Sequence, residues 1–503
     1  MRFALIGPLL VAMFCLQACA ANPQRDEQSA MPLEPFGAVP TQAQHAWHRA
    51  ELHAFVHFTV TTFTNQEWGY GDEDPAIFNP TEFDAREIVQ QLKVGGFTGV
   101  ILTAKHHDGF CLWPTETTDH NISASPYKDG NGDLVRELAD ACAAEDLKFG
   151  VYLSPWDRHD PRYGSPAYLN EVYRPQLREL LSNYGDIFEV WFDGANGGDG
   201  YYGGARETRS IDRTTYYDWP TTWAMVRELQ PNAIMFSDVG PDCRWVGNER
   251  GFAAETSWST ITYPADAAPG QVDQNLLPVG TRLGERWIPA ECDVSIRPGW
   301  FYHPAEDDRV KTPAELMELY VKSVGRGATF LLNVPPMPSG KLHPADIESL
   351  RQFGEHMKAI FETNLAADAT PTATNERPVH PAGEMLDRDD FSYWATDDGV
   401  LTPCVELQLT GEQTFNLVRL EEAIALGQRV GGVAVDAWID GNWQELCSAE
   451  SVGHARIWRI EKVTTDRVRL RVTESAASPA IASFGLFLEP AMKNSGGAGT
   501  GID

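Results

Sequence analysis

Short apolar runs alternate with amphipathic stretches from Ala46 to about Asn364. The runs are rich in β-branched and aromatic residues and lack polar alternation, which is typical of strands covered on both faces. They predict six strands: Ala54 to Phe58, Thr98 to Leu102, Phe149 to Leu153, Phe188 to Phe192, Ala233 to Phe236 and Thr329 to Val334.

The intervening stretches predict helices, and several begin with residues suited to a helix start. Asp133 can cap free backbone N–H groups, and Pro313 and Pro344 suit a first helical turn. The predicted helices are Asp84 to Leu92, Asp133 to Glu145, Tyr168 to Tyr184, Thr221 to Leu229, Thr312 to Val324 and Pro344 to Glu362. Strand–helix alternation predicts an α/β fold, a (β/α)8-like barrel over residues 46–364.

The pattern changes after Ala366, where Thr370 to Asn375 is linker-like. Short alternating strands follow, and Asp440-Gly441 predicts a hairpin turn. We therefore predict a C-terminal β-sandwich over residues 365–490 and a disordered Gly-rich tail over 491–503. The predicted strands are Val405 to Leu409, Thr414 to Leu420, Val430 to Trp438, Arg456 to Ile460 and Val468 to Val472.

The first residues are typical of an export signal, because Arg2 precedes an apolar run too short to span a bilayer. Leu16-Gln17-Ala18-Cys19 is similar to a bacterial lipobox, which predicts a signal over 1–19, an acylated Cys19 and an exposed linker over 20–45. The alternative is an ordinary secretory signal. Either reading places the protein in the periplasm or cell envelope, with membrane contact only through a lipid anchor.

Net charge and cysteine content limit the classes of partner and of bound metal. The net charge of -31 disfavours binding to phosphate backbones, so we expect no nucleic acid. The six cysteines beyond the signal form no C-x-x-C pair, so a structural zinc site has no support. They show no disulfide-framework spacing either, so we expect buried free thiols, with one disulfide left open.

Polar residues follow the predicted strands, where a barrel places its active site. A single His or Asp there is ordinarily structural, but five consecutive strand ends carrying such residues favour a site. They are His57 with Asn65 to Gly69, Lys105 to Gly109, Ser154 to Asp157, Asp193 to Asn196, and Ser237 with Asp238.

Tryptophan with several His, Asp and Glu is typical of a sugar pocket, and glycoside hydrolysis needs two carboxyl groups. Asp193 is the candidate nucleophile, since it follows a rigid buried strand. The acid is left open among Glu249, Glu255 and Glu291, which we place in later loops.

A zinc site from His57, His106 and His107 is the metal alternative. Adjacent histidines on extended backbone point to opposite faces, and no H-x-H or H-E-x-x-H occurs. We therefore expect neither a metal nor a cofactor. A non-catalytic surface glycan receptor is a further alternative.

Five segments together resemble glycoside hydrolase family 29, the α-L-fucosidases. They are His57-Phe58, Asn65 to Gly69, Lys105 to Phe110, Tyr152 to Asp157 and Glu189 to Ala195. Gly197 to Gly204 and Trp287 to Trp300 resemble the subgroup that cleaves α-1,3/1,4-fucosyl branches. A broader linkage range, including α-1,2 or α-1,6, is the alternative.

The resemblance implies release of fucose from fucosylated oligosaccharides by a retaining double displacement. Asp193 is then the nucleophile, and Glu249 is preferred over Glu255 and Glu291 as acid/base. We expect a nearby His⁺ or hydrogen bonds to keep the pKa of Asp193 low, and a less polar setting to raise that of the acid. The implied fucose-binding residues are His57, Glu67, Trp68, His106, His107 and Trp156, with Trp300 as an aromatic wall.

Overall fold

The computed structural model describes residues 33–387 and 391–492. Eight parallel strands close into a barrel in the order β1-β8-β7-β6-β5-β4-β3-β2. The strands are β1 Leu52–Val56, β2 Gly99–Lys105, β3 Lys148–Leu153, β4 Ile187–Trp191, β5 Ile234–Ser237, β6 Cys243–Trp245, β7 Ala290–Ser295 and β8 Thr329–Asn333. The predicted signal, Cys19 and the tail from residue 493 lie outside the described residues.

The sequence pattern missed β6 and β7. Both carry charged residues, Arg244 on β6 and Glu291 and Asp293 on β7, which interrupt an apolar run. All three are buried in the fold, and each has hydrogen-bond partners there. Trp191 and Trp245, for example, donate their indole N–H groups to the carboxylates of Glu291 and Asp293.

All six predicted helices are present within a residue or two, apart from irregular first turns. Asp84, Asp133 and Thr312 accept backbone N–H groups at helix starts, as capping residues do. The main helices are α1 Gln42–Ala50, α2 Ala85–Val94, α3 Leu134–Ala144, α4 Arg174–Asn183, α5 Trp219–Leu229, α6 Pro313–Ser323 and α7 Pro344–Phe361.

Two barrel connections lack an α-helix. Residues 238–242 join β5 directly to β6, and residues 246–289 between β6 and β7 contain only the short strands Thr260–Ile261 and Arg286–Trp287. The barrel is therefore complete in strands but open on part of its helical layer. These irregular segments are free to build the walls of a site.

The C-terminal part is an antiparallel sheet domain of seven strands. Its strands are β9 Thr370–Ala373, β10 Trp394–Ala395, β11 Cys404–Glu422, β12 Val430–Ile439, β13 Asn442–Ala449, β14 Arg456–Ser475 and β15 Ala480–Phe487. The barrel-plus-β-domain class predicted from the sequence is confirmed. The predicted pairs of short strands within β11 and within β14 are single long strands with register shifts.

The linker prediction for Thr370 to Asn375 was wrong. Residues Thr370–Ala373 form β9, which pairs with β11 alone. An edge strand tolerates Pro371, because one side of it needs no backbone donor. The predicted turn at Asp440-Gly441 is confirmed, with φ of 51° and 78° at the two residues between β12 and β13.

The described part of the predicted exposed linker differs from that prediction. Helix α1 begins at Gln42, and Leu33 and Gln44 are buried. The cysteines described are free: Cys111, Cys142, Cys243 and Cys292 are buried, while Cys404 and Cys447 are partly exposed. Within residues 33–387 and 391–492, no helix has the length and apolarity needed to cross a bilayer.

Candidate active site

A cavity of about 570 Å³ opens at the carboxyl ends of the barrel strands. The predicted catalytic and sugar-binding residues line it with one exception, Trp156. Those that line it are His57, Glu67, Trp68, His106, His107, Asp193, Glu249 and Trp300. Segments far apart in sequence therefore converge on one concave site, as the strand-end pattern predicted.

Asp193 lies two residues beyond β4 and reaches the cavity with a side chain 23% exposed. Its Oδ1 accepts the backbone N–H of Ala195 at 2.7 Å, and its Oδ2 accepts the hydroxyl of Tyr152 at 2.8 Å. These two donors fix the plane of the carboxylate. His107 Nε2 lies 3.8 Å from Oδ2, beyond hydrogen-bond distance.

The electrostatics around Asp193 differ from the expectation. Burial raises the pKa of Asp193, and the hydrogen bonds from Ala195 and Tyr152 offset this only in part. No histidinium assists, because burial lowers the pKa of His57 and of His107 to about 3. The expectation of a low pKa was therefore wrong, since it overlooked the cost of enclosing the histidines themselves.

Glu249 lies at the mouth of the cavity in the segment after β6. Its Oε2 accepts the indole N–H of Trp300 at 3.2 Å. Partial desolvation raises the pKa of Glu249, with further contributions from the carboxylates of Asp193 and Glu67. This is the direction a general acid requires.

The two competing carboxylates lie elsewhere. Glu255 is 78% exposed on its side chain and pairs with Arg456 of the C-terminal domain at 3.2 Å. Glu291 is on β7 rather than in a loop, fully buried inside the barrel. Neither lines the cavity, so the geometry favours Glu249 as the partner of Asp193.

The adjacent histidines also differ from expectation, because both His106 and His107 face the cavity. Their ring centroids are 4.1 Å apart. They follow β2, which ends at Lys105, so the alternation of side chains along a strand no longer applies. His106 stacks on Tyr152, with 14° between the rings.

The aromatic residues form two layers. Trp68 is 50% exposed and meets the rings of His107 and Trp156 edge-on at 5.3 and 5.8 Å. Trp300 forms another wall beside His57. Trp156 is buried behind Trp68 and His107, with its N–H donated to Tyr202. Trp156, predicted as a fucose-binding residue, does not line the cavity and packs against Trp68 and His107, which do.

Glu67 holds one wall of the cavity in place. Its carboxylate accepts the backbone N–H of Trp300 at 2.6 Å and faces His303 Nε2 at 2.9 Å. A residue from the segment after β1 thus anchors the segment after β7. Glu67 itself is also part of the cavity lining.

Several cavity residues had no predicted catalytic or sugar-binding role. Asp238, one residue beyond β5, was already marked by the strand-end pattern, whereas Asp293 is on β7, the strand that the pattern missed. Burial, with a contribution from Asp193, raises the pKa of Asp238 to about 6. Arg213 and Gln274 lie in long loops, where no sequence signal marks them.

Deeper in the barrel, three fully buried side chains meet: His53 on β1, Glu189 on β4 and Glu291 on β7. His53 Nδ1 lies 3.7 Å from an oxygen of each carboxylate. Burial and the neighbouring Glu291 raise the pKa of Glu189 well above its ordinary value. This trio has the composition of a metal-ligating group but does not include the cavity histidines.

The comparisons with known proteins agree on one family. The sequence profile described as alpha-L-fucosidase matches residues 35–362. Alpha-L-fucosidase 1 of Arabidopsis thaliana is 39% identical over 466 residues, covering 90% of this chain and 88% of that protein.

Two solved structures extend the similarity to the whole fold. A glycoside hydrolase 29 family member from an unknown rumen bacterium is 44% identical with a TM-score of 0.82, covering 92% of this chain and 79% of that one. A GH29 fucosidase of Ruminococcus gnavus, solved in complex with fucose, is 33% identical with a TM-score of 0.82. It covers 92% and 98% of the two chains.

Proposed function

This chain belongs to the alpha-L-fucosidase family of glycoside hydrolases, and we propose that it releases fucose from α-1,3- or α-1,4-fucosylated oligosaccharides with retention of configuration. The observation that carries the mechanism is that Asp193 and Glu249 line the same cavity and have different hydrogen-bond surroundings. Asp193 is fixed by two donors, whereas Glu249 stands at the mouth beside an indole.

In the first step, a carboxylate oxygen of Asp193 attacks the anomeric carbon and the glycosidic bond breaks. Glu249 gives its proton to the departing oxygen, which leaves as a hydroxyl group. In the second step, Glu249 takes a proton from water, and that water oxygen displaces Asp193 from the anomeric carbon. Two inversions give net retention.

The shape of the cavity supports a branched substrate. Beyond the histidine and tryptophan walls, it continues past Arg213, Gly270, Val272 and Gln274. These residues belong to irregular segments after β4 and β6, which offer hydrogen-bond donors and acceptors outside the first sugar site. In a branched substrate, the sugar that carries the fucose also carries a second substituent, and both can contact these residues. A small aryl leaving group makes no use of this surface.

The test is a panel of fucosylated oligosaccharides of Lewis type, H type and core α-1,6 type, with products identified by mass spectrometry. We expect release from the first group and NMR detection of α-L-fucose as the first-formed anomer. Asp193→Asn should lower kcat by at least about a thousandfold, since the covalent route is lost. Turnover of H-type substrates at equal rates would contradict the linkage assignment, and an inverted product would contradict the mechanism.

We also propose that the protein is exported and held at the cell envelope through an acylated Cys19, on the strength of Leu16-Gln17-Ala18-Cys19. Incorporation of a labelled fatty acid into the wild type, and its loss in Cys19→Ala, would support this. Equal labelling of both, or of neither, would contradict it.

A further inference from the structure

The Ser154 hydroxyl lies between two groups that determine where its proton goes. Its Oγ is 2.7 Å from the backbone oxygen of Trp156 and 2.7 Å from His107 Nδ1. A carbonyl oxygen can only accept, and a hydroxyl has a single proton. Ser154 therefore donates to Trp156, and His107 Nδ1 must carry the hydrogen that it donates to Ser154.

Asn333, the last residue of β8, places the ring hydrogen of His57 on Nδ1 in the same way. The amide is oriented from two sides, because its Oδ1 accepts the backbone N–H of His57 at 3.2 Å and its Nδ2 donates to the backbone oxygen of Trp300 at 2.7 Å. His57 Nδ1 lies 2.9 Å from that same Oδ1. An oxygen can only accept there, so His57 Nδ1 also carries a hydrogen.

Both rings are neutral at ordinary pH, because burial lowers the pKa of each to about 3. A neutral imidazole has one ring proton, and in both cases it is committed to Nδ1. Among the described residues, neither Nε2 atom has a hydrogen-bond partner, although His107 Nε2 lies 3.8 Å from Asp193 Oδ2. Each Nε2 is thus a free lone pair.

We propose that Ser154 and Asn333 are positioning residues that hold His107 and His57 as Nδ1–H tautomers, so that the cavity presents two nitrogen lone pairs to its substrate. Resting on the proposed function, this requires the fucose hydroxyl groups that meet these nitrogens to donate. It also leaves His107 without a proton to share with Asp193, so this ring does not weaken the nucleophile.

The direct test is independent of activity. Full-length protein labelled with ¹⁵N-histidine gives long-range ¹H–¹⁵N patterns that distinguish the two tautomers. We expect Nδ1–H patterns for both rings in the unsubstituted protein. Ser154→Ala should change the pattern of His107. Asn333→Asp should change the pattern of His57, because the new carboxylate favours a doubly protonated ring. Nε2–H patterns for these rings in the unsubstituted protein would overturn the proposal.

The kinetic test uses a fucosylated trisaccharide. Ser154→Ala should lower kcat/KM about tenfold, the effect of one lost hydrogen bond, and Ser154→Thr should restore most of it. The matched control is Ser323→Ala on α6, which removes an equally buried hydroxyl remote from the cavity. Equal losses in Ser154→Ala and Ser323→Ala would overturn the positioning role.

A binding test uses deoxyfluoro sugars with the Asp193→Asn variant. Fluorine cannot donate, so a fluoro group facing either Nε2 should weaken binding as much as removal of the hydroxyl. Tolerance of fluorine at every ring position would overturn the proposal. Absence of fucose binding with the expected NMR tautomers would instead count against the proposed function alone.

Discussion

At the scale of single residues, burial shifts the pKa values of the cavity side chains toward their uncharged forms. The three cavity histidines have pKa values lowered by burial, and the two carboxyl groups proposed for catalysis have pKa values raised by it. The histidines are therefore neutral at ordinary pH. Neutral imidazole nitrogens can accept hydrogen bonds from the hydroxyl groups of a neutral sugar.

The pH dependence should show both carboxyl groups. On the acidic side, kcat/KM should rise as Asp193 loses its proton, with a midpoint above the ordinary aspartate value because its pKa is raised. On the alkaline side, activity should fall as Glu249 loses the proton it must donate. The measurement is a pH profile of kcat/KM on the trisaccharide.

Glu249→Ala should remove the alkaline limb of that profile and lower kcat on the trisaccharide by about a hundredfold or more. Azide should partly restore turnover of an activated fucosyl fluoride, because that leaving group needs no proton and azide can enter the vacated space. A persistent alkaline limb without azide rescue would assign the acid role to another carboxyl, with Asp238 the next in the cavity.

At the scale of elements, the irregular connections supply the outer walls of the cavity. The helix-free segments around β5, β6 and β7 bring Asp238, Glu249, Gly270 and Gln274 to the cavity. The regular strand–helix units supply the fixed floor instead, with His57, His107 and Asp193 at strand ends. A barrel can thus vary its outer walls while its floor stays rigid.

The β12–β13 hairpin offers a clean test of turn chemistry. Gly441 has φ of 78° and open space around it, so an added methyl group meets backbone strain but no clash. Gly441→Ala should lower the free energy of unfolding by about 1 kcal/mol. Denaturant unfolding measures it.

Gly383→Ala is the matched control, because Gly383 also has open space but no positive φ. It should leave stability unchanged or slightly improved. Equal effects of the two substitutions would show that strain at the turn is not the cause.

At the scale of the whole molecule, a partly buried ionic group joins the barrel to the C-terminal domain. Glu51, between α1 and β1, accepts the Tyr320 hydroxyl of α6 at 2.7 Å and pairs with Arg419 of β11. His454 Nε2 lies 3.2 Å from the same carboxylate. Burial alone would raise the pKa of Glu51, but Arg419 and His454 hold it well below its ordinary value.

Glu51→Gln should therefore destabilise the protein by about 2 kcal/mol at pH 7, since the guanidinium of Arg419 loses one of its two carboxylate partners and keeps Glu421. A lowered pKa in the folded state gives stability that is present above the unfolded value of about 4.3 and is lost as pH falls below it. The difference from wild type should thus shrink below about pH 4. Thermal unfolding across this range measures it.

Glu412→Gln on β11, the strand that carries Arg419, is the control for loss of an exposed carboxylate and should be neutral. A penalty for Glu51→Gln that stays constant from pH 7 to pH 3 would show that the group contributes packing rather than charge pairing.

Local sequence was enough to determine what local physics governs. Apolar runs located six barrel strands, the cap Asp133 and the first-turn Pro313 located helix starts, and Asp440-Gly441 located a hairpin. The same pattern placed His57, His107 and Asp193 at strand ends, which lie together at one end of a barrel. Each of these follows from interactions within a few residues along the chain.

Only the tertiary structure decided matters that depend on distant neighbours. Charged β7 is a barrel strand in which Glu291 and Asp293 each accept one indole N–H, from Trp191 and Trp245. The segment at Thr370 is a strand because it pairs with β11. Trp156 lies behind Trp68, and Glu249 lines the cavity whereas Glu291 is buried deeper inside the barrel. Burial and partner choice are set by packing between remote segments, and no periodicity along the chain encodes them.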